Sequence, residues 1–428
     1  MGKALIDELK ARGLVAQVSD EAGLSEHLEE AARTVYCGFD PTADSLHIGN
    51  LVPLLTLRRF QQHGHRPILL LGGATGLIGD PSFRPDERSL NDPEVVAGWV
   101  ERIRRQVEGL VSFSGNNAAV IENNLDWTAG LGVIPFLRDI GKYFSVNTMI
   151  QRESVRSRLD REDQGISYTE FSYMLLQAMD FAELAERHGC SVQIGGSDQW
   201  GNIVSGMDLV RRKLGRDAYA LTVPLVTKAD GTKFGKTAAG AVWLDPARTS
   251  PYAFYQFWLN TADADVGRFL RTFTFLSLAE IDAVMRQFET DPGERLAQRT
   301  LAAEVTRMLH GDESLASAQR ITEALFNGTI ETLTEADLDQ LTQDGMDSTP
   351  VGESSVALAA VVADAGLAPS RSQARKLIAS KGLRVNGVVA EDPEVELDFS
   401  DALHGRFYLL RRGKKNWHLI VRNSAEAQ

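Results

Sequence analysis

Two short stretches, far apart in the chain, carry the residue types that handle a polyphosphate. The first runs Tyr36-Cys37-Gly38-Phe39-Asp40-Pro41-Thr42 and on to His47-Ile48-Gly49-Asn50, a strand, a turn and the start of a helix. Backbone N–H groups at a helix N-terminus carry partial positive charge and favour a phosphate. His47 adds a side-chain donor, Gly49 lets a flat base lie against the backbone, and Asn50 could reach a ribose oxygen. Alone, a His-x-Gly-x start also suits a histidine with a purely structural task. The second stretch, Lys228 to Thr237, sets Lys233 and Lys236 three apart on a Gly-containing loop, where both could reach one polyphosphate; alone it would also pass as a solvated turn. A third pattern is Tyr173, Gln177 and Asp180, whose i, i+4, i+7 spacing puts them on one helix face. Such a face is commonly just solvated. Here Phe171, Met174, Leu175, Leu176 and Phe181 surround it, which points to a pocket whose buried polar groups need a ligand as partner.

Those residues must be positioned by the elements around them. Thr34–Phe39, Pro67–Leu71, Ala118–Ile121 and Ser191–Ile194 read as short strands. Between them Leu51–Gln62, Asp92–Val111, Phe136–Arg158 and Thr169–His188 read as helices. The run Pro67-Ile68-Leu69-Leu70-Leu71 does not alternate, as expected for a parallel strand buried on both faces. Strand, helix, strand in this order is a right-handed βαβ unit. The expected fold is therefore a doubly wound α/β domain with its ligand at the carboxyl ends of the strands. After Ser250 the periodicity is helical through Leu325. The stretch Glu331–Ser354 is acidic and polar and reads as a linker.

The chain has 428 residues, 43% hydrophobic and 24% charged, enough for two or three globular domains. The longest apolar run, Pro67 to Gly79, is too short and too glycine-broken to cross a bilayer. The N-terminus shows no signal-peptide pattern. Only Cys37 and Cys190 are present, so a reducing, cytoplasmic setting is expected. A net charge of −13 argues against a surface that coats nucleic acid everywhere. Yet residues 366–424 hold 11 Lys and Arg against 6 Asp and Glu. Arg371, Arg375 and Lys376 follow a helix-start signal, Lys381 and Arg384 precede a hairpin turn at Val385–Val388, and Lys414 and Lys415 sit on another basic turn. Such runs are often only solvated surface, but concentration in one basic module of an acidic chain favours an RNA footprint.

Taken together, His47-Ile48-Gly49-Asn50 and Lys233-Phe234-Gly235-Lys236-Thr237 resemble the two adenylate-site motifs of class I aminoacyl-tRNA synthetases. Gly72–Ser82 and Gln193–Asn202 are similar to the tyrosyl branch of that family, and the likeness spans essentially the whole chain. Asn50 stands where many class I members have a second histidine. The resemblance implies a Rossmann-like doubly wound parallel-sheet catalytic domain over 1–227 and a loop and helical domain over 228–330. A linker at 331–355 and an S4-like α+β RNA-binding domain at 356–428 follow. It implies tyrosine held by Tyr36, Asp80, Tyr173, Gln177, Asp180 and Gln199. It implies ATP held by Cys37, Gly38, Asp40, His47, Gly49, Gly196, Asp198, Lys236 and Thr237. Charge on the leaving pyrophosphate falls to Thr42, His47, Asn50, Arg84, Arg88, Lys233 and Lys236. Magnesium would arrive with ATP rather than in a protein metal cage. The expected partners are tyrosine, ATP and tRNA. Arg152, Arg156, Arg211, Arg212 and Lys213 would face the acceptor stem, and Phe136–Met149 would form a homodimer interface.

Other readings remain open on sequence alone. Thr42 could be a plain turn residue, and Arg84 and Arg88 a solvated loop. A tryptophanyl enzyme shares the fold, although a Tyr36–Asp180 pair suits a phenol. An RNA-binding protein with a relic nucleotide site would have no reason to keep both motifs. A small-molecule nucleotidyltransferase would not need the basic tail.

Overall fold

The computed structural model describes residues 2–82, 90–152, 155–156, 159, 165–232, 234–237, 240–413 and 416–423, with the side chains of Lys236 and Thr237 left aside. Arg84, Arg88, Lys233, Lys414 and Lys415 therefore lie outside the described residues. The chain forms two compact units, Met1–Asp245 with Thr261–Leu301, and Pro246–Asn260 with Ala302–Gln428.

The first unit is built on a six-stranded sheet. Its strands are β1 (Gln17–Val18), β2 (Thr34–Phe39), β3 (Arg66–Leu71), β4 (Val120–Asn123), β5 (Cys190–Gly196) and β6 (Tyr219–Val223), in the order β1-β6-β5-β2-β3-β4. All neighbours are parallel except β1, which closes the edge antiparallel to β6. The chain winds one way from β2 to β3 and β4, and the other way to β5 and β6. The crevice between β2 and β5 is thus the switch point where such sheets bind ligands. Central strands are dry, as Ile68, Leu69 and Leu71 are 0% exposed.

Helix Tyr168–His188 starts on Ser167, whose side chain accepts from Glu170 N–H, and ends on Gly189 in the left-handed region at φ 62°. Its Phe181, Ala182 and Leu184 pack in one core with Tyr36, Ile68 and Leu70. The expected long helix over Phe136–Arg158 is instead broken into a π-type turn (Phe136–Ile140), a 3-10 turn (Gly141–Tyr143) and a short helix, Val146–Ile150. Pro135 and Gly141, poor helix formers, bracket the break. Helices Asp263–Phe273 and Leu278–Thr290 belong to this first unit. Arg12 and Arg59, 5% and 1% exposed, hold them by donating to the carbonyls of Arg271, Leu276 and Thr274. The helices expected as one domain over 228–330 are therefore divided, and Pro251–Leu259 joins the second unit.

The second unit carries a sheet of β9 (Ser348–Val351), β11 (Leu383–Val385), β12 (Val388–Val389), β14 (Phe407–Arg412) and β15 (Asn416–Arg422), in the order β12-β11-β14-β15-β9. A second pair, β10 (Ser355–Ala357) and β13 (Glu396–Asp398), lies apart from it. The hairpin expected at Val385–Val388 is present, with Asn386 at φ 46° in its turn. The expected linker is corrected. Glu335–Gln343 is a helix begun by a Thr334–Asp337 capping box, and residues 348–351 form β9 beside β15. Leu333, Leu338 and Leu341 are at most 1% exposed, in a core with Ile321, Phe407 and Leu419. Acidity misled the sequence reading because Asp337 is buried, not solvated. Its carboxylate accepts from Ser317 Oγ at 2.6 Å and from Arg320 Nε at 2.7 Å.

Among the described residues no helix is long and apolar enough to cross a membrane. Leu338→Ala opens a cavity in the second unit and is expected to cost about 2–4 kcal/mol. Thermal or denaturant unfolding of the full chain reads this out, and an unchanged midpoint would restore the linker reading.

Candidate active site

The carboxyl ends of β2 and β5 open into a cavity of about 550 Å³. Fifteen residues proposed from sequence line it together: Tyr36, Cys37, Gly38, Asp40, Thr42, His47, Gly49, Asn50, Asp80, Tyr173, Gln177, Asp180, Gly196, Asp198 and Gln199. The shared helix face of Tyr173, Gln177 and Asp180 thus looks into a pocket and not into bulk water.

At the closed end Asp180 is 2% exposed. Its Oδ1 accepts from Trp127 Nε1 at 2.9 Å and its Oδ2 from Asn124 Nδ2 at 3.0 Å. Burial pushes this carboxyl up to about 7, against the two hydrogen bonds, which favour the ionised form. The Tyr36 hydroxyl shares this end. It is buried, has no hydrogen-bond partner among the described residues, and its pKa is raised by burial and then by Asp180. A buried hydroxyl without a partner is costly, so the pair is shaped for a group that both donates and accepts. Sequence reasoning missed Asn124 and Trp127. Their only signal was position, just past β4 at the same end of the sheet as the first motif.

Acidic and amide groups occupy the middle of the cavity. Asp40 accepts from Thr75 Oγ1 and from the Tyr173 hydroxyl, both at 2.6 Å. Asp80 accepts from Ser82 N–H at 2.9 Å and from Gln199 Nε2 at 2.7 Å. Asp198, whose pKa is raised by burial, accepts from the same amide at 3.3 Å. Among the described lining residues there is no Lys or Arg. Three aspartates there suit an ammonium group and vicinal hydroxyls. Cys37 is 2% exposed and burial pushes its thiol up to about 12, so at neutral pH it is no nucleophile.

The first motif forms a 3-10 turn, Ile48–Asn50, before helix Leu51–Gln62, rather than a helix straight from Gly49. His47 caps it, its Nδ1 accepting from Gly49 N–H at 3.0 Å. In the neutral ring this bond leaves the proton on Nε2. Asn50 closes the capping box, its Oδ1 accepting from His47 N–H at 3.0 Å. Its carbonyl oxygen is thus engaged with backbone, a role the sequence did not foretell. At Gly49 a Cβ would lie 2.8 Å from the His47 ring, so glycine is what allows the histidine to fold over.

The second motif is brought against the first by backbone hydrogen bonds. Ile48 N–H donates to Val242 O at 2.9 Å, and Val242 N–H to Gly235 O at 3.0 Å. Lys236–Thr237 (β7) and Gly240–Ala241 (β8) make a small hairpin there. Gly235 has φ 80°, and a Cβ on it would lie 2.5 Å from Ile48 Cγ2. The two stretches read separately in sequence thus lie side by side.

The basic candidates are less concentrated. In the second unit Arg371, Arg375 and Lys376 stand on helix Arg371–Ala379. Arg375 pairs with Glu394 at 2.8 Å and Lys381 with Glu391 at 2.7 Å, while Arg384 donates to Gly387 O at 2.8 Å. Exposed pairs of this kind are weak and exchange readily for a phosphate. In the first unit Arg211 pairs with Asp208 and Lys213 with Glu186. Arg152 donates to Ser205 Oγ at 3.2 Å and Arg212 to Tyr143 O at 3.0 Å; Arg156 is exposed.

Residues 28–327 match the family model of class I tRNA synthetases (W and Y), and residues 337–420 match that of the tyrosine–tRNA ligase SYY-like C-terminal domain. A tyrosine–tRNA ligase of Citrobacter koseri is 58% identical over 417 residues, 97% of each chain. One of Dechloromonas aromatica is 57% identical, over 97% of this chain and 98% of its own. A C-terminally truncated mitochondrial tyrosyl-tRNA synthetase of Aspergillus nidulans superposes with TM-score 0.68 at 31% identity, covering 75% of this chain and 94% of its own. A tryptophanyl-tRNA synthetase of Encephalitozoon cuniculi, at 13% identity and TM-score 0.53, shares the fold alone. A catalytic family model covering most of the chain, a tyrosine-specific tail and high identity from end to end place this chain in the class I tyrosine–tRNA ligase family.

Proposed function

We infer that this chain activates tyrosine with ATP and transfers the tyrosyl group to tRNA. One observation carries the amino-acid choice. The Tyr36 hydroxyl, buried and without a partner among the described residues, stands with the Asn124- and Trp127-braced carboxylate of Asp180 at the closed end of the cavity. A phenol satisfies both. Phenylalanine fills the same volume and leaves both unsatisfied, and an indole offers no hydroxyl there.

In the first step the tyrosine carboxylate attacks the α-phosphate of ATP, and pyrophosphate leaves. The ammonium group is assigned to Asp80, Tyr173 and Gln177, with Gln199 holding Asp80 in place. Gly38, Asp40, Gly196 and Asp198 hold the adenylate and its ribose, with Cys37 against the ribose. Thr42 and His47 Nε2–H, with Arg84, Arg88, Lys233 and Lys236, stabilise charge on the leaving phosphates. Magnesium enters with ATP, and no tightly held cofactor is assigned. In the second step the terminal adenosine hydroxyl of tRNA attacks the activated carbonyl and AMP leaves. No protein nucleophile is involved, and positioning does the catalysis.

The basic face of the second unit is assigned to tRNA, and the first unit's arginines to its acceptor stem. The exposed apolar side chains Val133 and Ile134, just before the Phe136–Met149 segment, and Val146, within it, at 71%, 70% and 56%, support a homodimer there. The assigned compartment is the cytoplasm.

Tyrosine-dependent ATP–pyrophosphate exchange tests the reading; exchange that phenylalanine or tryptophan supports equally well would overturn it. His47→Ala is expected to slow adenylate formation by roughly a hundredfold or more with tyrosine affinity nearly unchanged, because the lost donor acts on developing charge. Asp180 supplies a pH test. If its ionised form receives the phenol, tyrosine affinity falls by roughly tenfold from pH 8 to pH 6, and Asp180→Asn flattens the profile. Stability runs the other way. The carboxyl rises from 3.8 to about 7 on folding, so between those values the folded state holds the extra proton and this group's contribution declines as pH rises.

A further inference from the structure

The second motif is reached through Thr227–Ala229 and has Phe234 at its middle, and one helix, Asp263–Phe273, engages both points. Asp265 is 3% exposed, and the backbone N–H of Ala229 is shared between its two oxygens, at 3.0 and 3.1 Å. Arg268, about one turn on, bonds Asp265 Oδ1 at 2.6 Å and also donates to the Thr227 carbonyl. Phe269 and Phe273 take the Phe234 ring, at centroid distances of 4.9 Å edge-on and 5.2 Å stacked. The helix is itself anchored. Gln298 Nε2 donates to Asp263 at 2.6 Å, and Arg12 and Arg59 hold the carbonyls at and beyond its far end. None of the hydrogen bonds described for Asp265 or Arg268 reaches β2 or helix Tyr168–His188, where the tyrosine site lies.

We propose that Asp265 and Arg268 are positioning residues for ATP: acting through the backbone of Thr227–Ala229, they set the loop that bears Lys233 and Lys236. They touch no substrate. A loop backbone ordered beforehand loses none of the ATP binding energy to its own immobilisation, and a fixed backbone limits the positions its lysines can take. The inference rests on the ligase reading above and adds to it a pair that lies outside both motifs.

The test uses the full chain with Asp265→Ala, Asp265→Asn, Arg268→Ala and Arg268→Lys. Tyrosine binding by fluorescence, kcat and KM for ATP in pyrophosphate exchange, and thermal midpoint are read together. Arg268→Ala and Asp265→Ala are expected to lower kcat/KM for ATP by roughly tenfold or more while tyrosine affinity stays within about twofold. Asp265→Asn keeps an oxygen for Ala229 N–H, and Arg268→Lys keeps a donor for Thr227 O, so both recover much of the loss. Equal losses in tyrosine binding and ATP use would make the role merely structural and overturn the proposal, as would an unchanged kcat/KM for ATP. If Asp265→Ala does not fold, Arg268→Ala decides, since that side chain is 46% exposed and can be removed without opening the core. Wild-type protein separates the two readings. Absence of tyrosine-dependent exchange there defeats the ligase assignment, whereas an active wild type with indifferent variants defeats only the clamp.

Discussion

A carboxylate at the closed end of the pocket, with no Lys or Arg among the described cavity residues, is the constraint that organises this site. Taking Asp180 out of water is unfavourable, and its pKa near 7 records that. Asn124 and Trp127 are there to offset it. Asn124 is in turn fixed, its Oδ1 accepting from Ala74 N–H at 2.7 Å and its Nδ2 reaching Thr75 Oγ1 at 3.0 Å. Thr75 donates to Asp40, which also receives the Tyr173 hydroxyl. One chain of hydrogen bonds therefore runs from Trp127 through Asp180, Asn124, Thr75 and Asp40 to Tyr173. It joins the end assigned to the side chain with the part assigned to the ammonium and the adenylate. Linked polar groups of this kind hold one another in register, so the two ends cannot shift independently.

The phosphate side obeys a different logic. Its parts come from opposite ends of the first unit's sequence and are joined by backbone, through Ile48 to Val242 and Val242 to Gly235. Backbone joints make the spacing between the His47 turn and the second motif insensitive to rotamer changes. Two glycines make the approach possible, Gly49 beneath the His47 ring and Gly235 against Ile48. The lysines of the second motif then have only side-chain freedom to lose when phosphates arrive.

Much of this was legible in sequence because it rests on periodicity and on local motifs. Strand β2, the glycine-rich turns and the helical spacing of Tyr173, Gln177 and Asp180 are all short-range patterns. What escaped was long-range or uncharacteristic. Strands β1 and β6 were unread: β1 has only two residues, and β6, Tyr-Ala-Leu-Thr-Val, has just five and follows closely on the helix that Gly215 ends. Asn124 and Trp127 matter only because β4 delivers them beside a helix some fifty positions later, as their separations of 56 and 53 residues from Asp180 show. The 331–355 stretch looked like a linker because charge counts cannot distinguish a solvated aspartate from Asp337, held between Ser317 and Arg320. Asn50, weighed only as a ligand contact, turned out to close a capping box, which preserves the turn whatever else the side chain does.

The pocket carries two costs at once, a Tyr36 hydroxyl with no hydrogen-bond partner among the described residues and a desolvated Asp180 carboxyl, in a protein whose net stability is small on the scale of either. Selection for stability alone would remove both, since a phenylalanine and an apolar residue pack as well and need no partner. Their presence together fits the proposed function, in which the unfavourable terms are relieved by what binds. The relief is conditional on a hydroxyl at one point on an aromatic ring. A ligand that fills the space without that hydroxyl gains its burial energy but leaves both costs in place. Discrimination at the closed end of the pocket is therefore set by what the protein withholds from itself, more than by any contact it adds.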